Sequence, residues 1–517
     1  MLRIPSELGI RDSEPPLVAV VGSGPAGLCA AIEAARAGAR VVLLDENDRP
    51  GGQLFKQIHR FFGTSDHYAG RRGYEIGETL LGQVRGLGVD VRLSTVVWGA
   101  FPGPVLACAT SDGRSYQLAP DRLILATGAS ERAIRFPGWT LPGVMTAGAA
   151  QTLANLHRVL PGRRVLMVGS GNVGLIVSFQ LIQAGARVAA IVEAAPQIGG
   201  WEVHAARVRR AGTPILTSHT IVAALGQEEV QRAVIAWIDE AGCPVPGSER
   251  RLKVDLVCLA VGLRPQTQLA GMLGLGMADD PAGGGPAPVR NEDMRSSHER
   301  VYLAGDLGGI AEASTAMEEG RIAGIAAASS VDLPDPPPLS RGERGGGVRQ
   351  ARQRLALLRR EVPSIFPRQP RSRRARRGPL AIIECDQPIP CDPCETACRR
   401  GAICLGPDPM QPPAVDPGRC TGCLRCIRDC PGMAIFVVDE DAGNAEATIA
   451  VPWEFLPLPE AGDQGQGLDR SGRRICPARV VNVRPFRHRG DTAIVTFAVP
   501  ARHARRARGF RGLSPSR

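Results

Sequence analysis

Two stretches of this chain share one rhythm of apolar and polar positions. Leu17-Val-Ala-Val-Val21 is an unbroken apolar run, followed by Gly22-Ser-Gly24-Pro-Ala-Gly27, an alanine-rich segment and a second run, Val41-Val-Leu-Leu-Asp45. Val165-Leu-Met-Val168, Gly169-Ser-Gly171-Asn-Val-Gly174 and Val188-Ala-Ala-Ile-Val-Glu193 repeat it. Short continuous apolar runs bounded by glycine turns predict buried parallel strands, and the segment between them predicts a helix. Two occurrences, without a short fixed period, mean a duplicated unit and not a solenoid. Leu123-Ile-Leu-Ala-Thr127-Gly128 and Val301-Tyr-Leu-Ala-Gly305-Asp306 predict two more short buried strands ending at polar residues. A polar, Pro/Gly-rich stretch over residues 333–378 then breaks the pattern, with one amphipathic helix predicted over Val348–Val362. Further on, Ala478–Val483 and Thr492–Val499 are β-rich runs joined by a polar turn, which predicts a hairpin.

Composition changes this picture little. A chain of 517 residues with 44% hydrophobic and 22% charged residues is long enough for several well-buried domains. It has no unbroken apolar run of membrane-spanning length, and Met1–Gly9 lacks the apolar core of a secretory signal, so a cytoplasmic protein that does not span a membrane is expected. The net charge of +11 would point to nucleic acid if it were spread over the chain. It is local: 13 Arg against two Glu lie between Arg341 and Arg377, while the rest is balanced. With no nucleic-acid motif beside it, Arg371–Arg377 reads as a solvated linker or a docking patch for an acidic partner.

Each glycine-rich turn sits after a strand and before a helix, and an acid ends the next strand 23 or 24 residues beyond the first glycine. That is the dinucleotide fingerprint. Gly22, Gly24 and Gly27, and again Gly169, Gly171 and Gly174, allow a tight turn, a close backbone approach to the pyrophosphate and close helix packing. Asp45 and Glu193 are the acids placed to accept from ribose hydroxyls. Gly51-Gly52-Gln53, Thr127-Gly128 and Gly305-Asp306 support FAD as the first nucleotide.

The cysteines carry the other chemistry. Nine of the 14 lie between Cys385 and Cys430, a clustering that reads as metal and not as disulfides. Cys420-x2-Cys423-x2-Cys426-x3-Cys430-Pro431 has the spacing of a bacterial-type ferredoxin, whose fourth cysteine ligates the other cluster. Upstream runs Cys385-x5-Cys391-x2-Cys394-x3-Cys398, and Cys398-Arg-Arg-Gly-Ala-Ile403 parallels Cys430-Pro-Gly-Met-Ala-Ile435. The expected ligand sets are therefore Cys420, Cys423, Cys426 and Cys398 for one [4Fe–4S] cluster, and Cys385, Cys391, Cys394 and Cys430 for a second. Cys385 is irregularly spaced, which leaves one cluster as the alternative and Cys404 as its replacement; an all-thiolate zinc site is the plainer reading of the same residues.

The two fingerprints resemble the two-dinucleotide-binding-domain flavoproteins, in which a NAD(P) domain is inserted into an FAD domain. Phe136–Gln151 and Gly305–Gly320 more closely resemble the α (or A/B) subunits of multi-subunit amine dehydrogenases: sarcosine oxidase, opine oxidase, proline and hydroxyproline dehydrogenases and hydrogen cyanide synthase. The resemblance covers roughly residues 14–332. It implies an α/β fold with a Rossmann-like FAD domain (14–155 and 264–332) and an inserted NAD domain (156–263). After these would come a basic linker (333–378), a small α+β ferredoxin-like module (379–455) and a β-rich C-terminal tail (456–517). It implies that Asp306 meets the flavin ribityl chain and that the helix beginning near Ser314-Thr315 points at the isoalloxazine. Glu193 implies NAD(H), with ATP or nothing as the alternative at that site. The flavoprotein half has no C-x2-C or C-x4-C pair, which excludes disulfide reduction. The expected function is an electron-transfer subunit working with an amino-acid-oxidase-like flavoprotein β subunit, passing electrons between FAD, clusters and NAD or another acceptor protein. No residue stands out as an acid or base for amine oxidation. The alternatives are a self-sufficient NADH:acceptor oxidoreductase and a non-catalytic scaffold.

Overall fold

The computed structural model describes residues 15–330, 341–359, 378–406, 410–441, 443, 445–488 and 490–513. The chain divides into two compact units: Met1–Phe55 with Tyr74–Ser130 and Leu263–Arg360, and Lys56–Gly73 with Glu131–Gly262 and Glu361–Arg517.

The first unit is built on a parallel five-stranded sheet in the order Val301–Leu303, Arg122–Leu125, Leu17–Val21, Arg40–Leu44, Asp90–Arg92. Its strands read as continuous apolar runs because both faces are covered. The helix Pro25–Arg36 covers one face and crosses the helix Ala313–Ser329 unusually closely. A Cβ on Gly320 or Gly324 would stand 2.1 Å from the Ala26 carbonyl oxygen or 2.3 Å from that of Ala30. Two glycines mid-helix cost about 1 kcal/mol each in propensity, offset by the contact they permit. Gly324→Val is accordingly expected to destabilise the unit by about 3 kcal/mol through overpacking, read as a lowered melting temperature.

The helix expected within the basic stretch forms over Arg341–Arg359, and residues 360–362 fall outside the described residues, as does Arg371–Arg377. Part of this stretch is therefore a packed element, as the helix expected there implies. Arg354 pairs with the fully buried Glu318 at 2.7 Å, and Arg359 pairs with the buried Glu319, both on the helix Ala313–Ser329.

The second unit repeats the plan. Its parallel sheet runs Ile215–Thr217, Arg187–Glu193, Arg164–Val168, Leu256–Leu259, Val144–Thr146. Each parallel sheet is accompanied by a three-stranded antiparallel meander, Thr95–Phe101 to Ser115–Leu118 in one unit and His219–Leu225 to Arg250–Lys253 in the other.

The C-terminal hairpin forms as Arg474–Arg484 against Ala493–Pro500. It is not a separate appendage, because a two-stranded hairpin alone is marginal in water. It lies inside a seven-stranded antiparallel sheet in the order Leu380–Ile383, Ile435–Asp439, Glu446–Trp453, Ala493–Pro500, Arg474–Arg484, Gln464–Leu468, Gly509–Gly512. Val480, Val495, Phe497 and Val499 bury their side chains with Phe436, Val438 and Ile449 in one core. The strand leaving the cysteine-rich segment and the chain beyond residue 456 thus share a single sheet.

Candidate functional site

Three sites are built from loops at strand ends. In the first unit Gly22 takes φ +101°, and its position is closed to any side chain, since a Cβ would meet the Ala126 carbonyl oxygen at 2.3 Å. Gly27 packs as tightly, its would-be Cβ lying 1.8 Å from the Gly22 oxygen. Gly24 differs: a Cβ there meets nothing within 4 Å. It is the N-cap of the helix Pro25–Arg36, with no side chain capping it. Backbone N–H groups at that helix start are left for a ligand, and the partial positive charge favours an anion.

The second unit has the same cradle. At Gly169 (φ +105°) a Cβ would meet the Ala260 carbonyl oxygen at 2.2 Å, at Gly174 one would meet that of Gly169 at 2.2 Å, and Gly171 faces open space as the uncapped N-cap of the helix Asn172–Gln183.

The acids repeat too. Asp45 is buried and accepts from the Ser23 amide and hydroxyl at 2.7 and 2.5 Å, and from the Asn47 amide and side chain at 2.9 and 2.8 Å. Glu193 accepts from the Ser170 amide and hydroxyl at 2.8 and 2.7 Å and from the Ala195 amide at 3.0 Å. A carboxylate has about four acceptor positions. Three donors leave Glu193 one acceptor position, whereas four donors occupy those of Asp45.

Neither the two serines nor the second of two Gly-Gly pairs is among the residues singled out from sequence. Gly51 donates to Ser23 Oγ at 3.2 Å, and Gly199 donates to Ser170 Oγ at 3.2 Å. The signal was there: each pair begins six residues past its acid.

The remaining residues expected at the first site are gathered in the same unit. Gly52, exposed like its neighbour Gln53, stands beside Gly24, where its Cβ would approach the Gly24 Cα to 2.9 Å. Thr127 Oγ1 donates to the Gln266 carbonyl at 3.0 Å, and Gly128 faces open space. The Gly305 amide donates to buried Glu319 at 2.7 Å, and Arg290 holds that carboxylate with bonds of 2.7 and 2.8 Å. Asp306 accepts from the Ala311 amide at 3.2 Å, and burial pushes its carboxyl up to about 6. Thr315 is buried in the first turn of the helix Ala313–Ser329.

The cysteine-rich segment forms the third site. Cys385, Cys391, Cys394 and Cys430 line one small pocket, walled also by Phe62 and Val203. Cys404 is elsewhere, exposed, its sulfur accepting from the Gly406 amide at 3.3 Å. Burial pushes the Cys385 thiol up to about 12 and that of Cys391 well above its ordinary value; the Cys430 thiolate adds to both. Cys426 is raised to about 12 by burial and then by Cys420, Cys430, Cys423 and Cys398.

The two runs are internally symmetric. The Ala402 amide donates to Cys398 Sγ at 3.2 Å as the Ala434 amide does to Cys430 Sγ at 3.4 Å, each four residues on. Short helices Pro393–Ala397 and Arg425–Asp429 follow the same plan. Among the described residues no three His, Cys, Asp or Glu side chains converge closely enough to hold a single metal ion.

Phe62 reaches the cavity because the segment Lys56–Gly73 pairs with it: Gly63 bridges Cys391, and the Asp392 amide donates to the Gly63 carbonyl at 3.1 Å. Arg207, from the helix Glu202–Arg210 that also carries Val203, is 4% exposed, and its Nε and Nη2 have no partner. Its guanidinium lies 4.6 Å from the centre of the Phe179 ring. Burial lowers it to about 10, and Glu454 and then Cys430 act in the opposite sense. Burying a guanidinium with two of its nitrogens lacking hydrogen-bond partners is costly.

Residues 16–320 match the pyridine nucleotide-disulphide oxidoreductase family. The chain belongs to that family. It is 32% identical over 339 residues to the A component of opine oxidase from Agrobacterium tumefaciens, covering 61% of this chain and 65% of that protein. It is 34% identical over 327 residues to hydrogen cyanide synthase subunit HcnB of Pseudomonas aeruginosa, covering 59% and 69%. The chain thus spans about two thirds of the length of these relatives. Among solved structures, L-proline dehydrogenase from P. horikoshii shares the fold, with TM-score 0.50 and 22% identity over 75% of this chain and 66% of that one. This family member is an FAD-dependent oxidoreductase with FAD- and NAD(P)-binding folds. No helix among the described residues is long and apolar enough to cross a membrane.

Proposed function

We propose that the chain is the electron-transfer subunit of a heteromeric amine or amino-acid dehydrogenase, carrying FAD, NAD(H) and two [4Fe–4S] clusters. The observation that carries this reading is the convergence of Cys385, Cys391, Cys394 and Cys430 on one cavity in a chain that also holds two dinucleotide cradles. When bound, FAD would trade an electron pair with the nicotinamide, and the clusters would trade single electrons.

The chain's own residues hold and tune. Gly24 and Gly171 open the helix starts to pyrophosphates, and Asp45 and Glu193 receive ribose hydroxyls. Asp306 would hold the ribityl chain, and the helix start carrying Thr315 would supply its partial positive charge to the flavin. The amides of Ala402 and Ala434 donate to the crossing thiolates, which stabilises charge on them. The C–N bond of a proline-, hydroxyproline-, sarcosine- or opine-type substrate would be oxidised on an amino-acid-oxidase-like β subunit, which fits the names of the relatives, each one component of a larger enzyme. An amine added anaerobically to the isolated chain should leave its flavin oxidised. Robust amine oxidation by the chain alone would sink the reading.

Asp306 adds a pH signature. Its folded value of about 6 exceeds the ordinary carboxyl value of 3.8. Stability from the neutral carboxyl is therefore present below about pH 4 and lost as pH rises through about 6, roughly 3 kcal/mol in the cofactor-free chain. A ribityl hydroxyl donating to the carboxylate favours the ionised form, so FAD affinity should rise between about pH 5 and about pH 7. Equilibrium binding of FAD by wild type and Asp306→Asn checks this: the variant should lose the pH dependence.

A further inference from the structure

The two expected ligand sets differ sharply in the charges beside them. Next to Cys385, Cys391 and Cys430 stand Glu384, Asp386, Asp392 and Asp429. These acids are matched within the unit: Glu384 by Arg508 at 2.7 Å, Asp386 by Arg470 at 2.9 Å, Asp429 by Arg60 at 3.7 Å, and Asp392 by the Ser65 amide at 3.2 Å.

The other set is flanked by arginine. Arg399 and Arg400 follow Cys398, Arg419 precedes Cys420 and Arg425 precedes Cys426. All four are exposed, and so is Cys423. Arg419 Nη1 donates to the Gly401 carbonyl at 3.1 Å, which brings Arg419 of the second run beside Arg399 and Arg400 of the first. Among the described residues Arg399, Arg400 and Arg425 form no ion pair. The acid nearest in sequence is Asp416, exposed, with Oδ1 accepting from the Gly418 amide at 2.8 Å.

Exposed arginines are ordinarily just solvated. These are concentrated around the one thiol of the eight expected ligands that is exposed. A cationic rim around the solvent edge of a one-electron centre steers an anionic partner and sets its orientation.

We propose that the face bearing Cys423, Arg399, Arg400, Arg419 and Arg425 is the docking surface for an acidic one-electron carrier protein. The inference rests on the cluster reading above, because only a redox centre behind Cys423 gives such a carrier something to exchange. One electron would pass between the cluster and the carrier's own metal centre, one being oxidised as the other is reduced, with no bond made or broken.

The test uses the anaerobically purified full chain and two probes, an acidic plant-type [2Fe–2S] ferredoxin and the basic protein cytochrome c. Affinity is measured calorimetrically, with iron and labile sulfide counted on the same samples. The ferredoxin should bind, and weaken at least about tenfold as salt rises from about 20 to about 300 mM, over which screening shortens severalfold. R399E/R400E and R425E should each weaken it about tenfold or more with iron content unchanged. R250E/R251E, at exposed positions on the strand Arg250–Lys253, should leave it as in wild type. Equal binding of both probes, or ferredoxin binding indifferent to the rim charges, would overturn the docking inference. Absence of iron and sulfide would overturn the cluster reading instead.

Discussion

Gly24→Val is expected to give a folded protein without FAD, and Gly171→Val a folded flavoprotein that no longer binds NADH. The two substitutions are unusual among glycine changes because the protein itself has no objection to them. A Cβ at either position meets nothing within 4 Å, and both residues have negative φ, −67° and −64°. What a valine would meet is the pyrophosphate, kept away from the helix N–H groups. Charge-assisted hydrogen bonds of this kind are worth roughly 1.5–3 kcal/mol each, so losing two weakens binding by about a hundredfold or more. Gly27→Val and Gly174→Val serve as contrasts, since their side chains would strike backbone oxygens at 1.8 and 2.2 Å and damage the fold. Circular dichroism with flavin absorbance and NADH binding separates the cases. Loss of flavin in Gly171→Val with a normal fold would mean the two cradles have been assigned the wrong way round.

The second large effect concerns the crossing ligands. Cys430 follows Cys426 by four residues, yet it lines the cavity of Cys385, Cys391 and Cys394. Cys430→Ser should therefore copy Cys391→Ser and not Cys420→Ser. Each single change should lower iron from about eight to about four per chain. Low-temperature electron paramagnetic resonance of the reduced protein would then show the same surviving signal in Cys430→Ser and Cys391→Ser, and the other signal in Cys420→Ser. Agreement of Cys430→Ser with Cys420→Ser would refute the crosswise arrangement.

Much of this was readable from local pattern. The glycine fingerprints, their acids and the four-residue offset from Cys398 to Ala402 and from Cys430 to Ala434 are short-range features whose physics is local. Long-range closure was not readable. Phe62 is more than 300 positions from Cys391 and Cys430, and nothing in its own neighbourhood announces that it walls their cavity. Arg207 was not singled out from sequence; only packing reveals that its guanidinium is buried with Nε and Nη2 lacking partners. The helix at Arg341–Arg359 was legible in part from its amphipathic pattern, but its anchoring was not. Buried Glu318 and Glu319 on a neighbouring helix turn Arg354 and Arg359 into anchors. The C-terminal strands were legible as a pair. Their sheet partners were not, because the choice depends on apolar faces such as Phe436 and Val438 from another segment.

Storage of electrons both in pairs and singly within one chain is the property on which the proposed function rests. The direct measurement is an anaerobic reductive titration of the isolated chain with dithionite, with iron, sulfide and FAD counted on the same sample. The expected result is about eight irons, one FAD and uptake of about four electrons per chain, two at the flavin and one at each cluster. Uptake that stops at about two electrons, with little iron present, would contradict it.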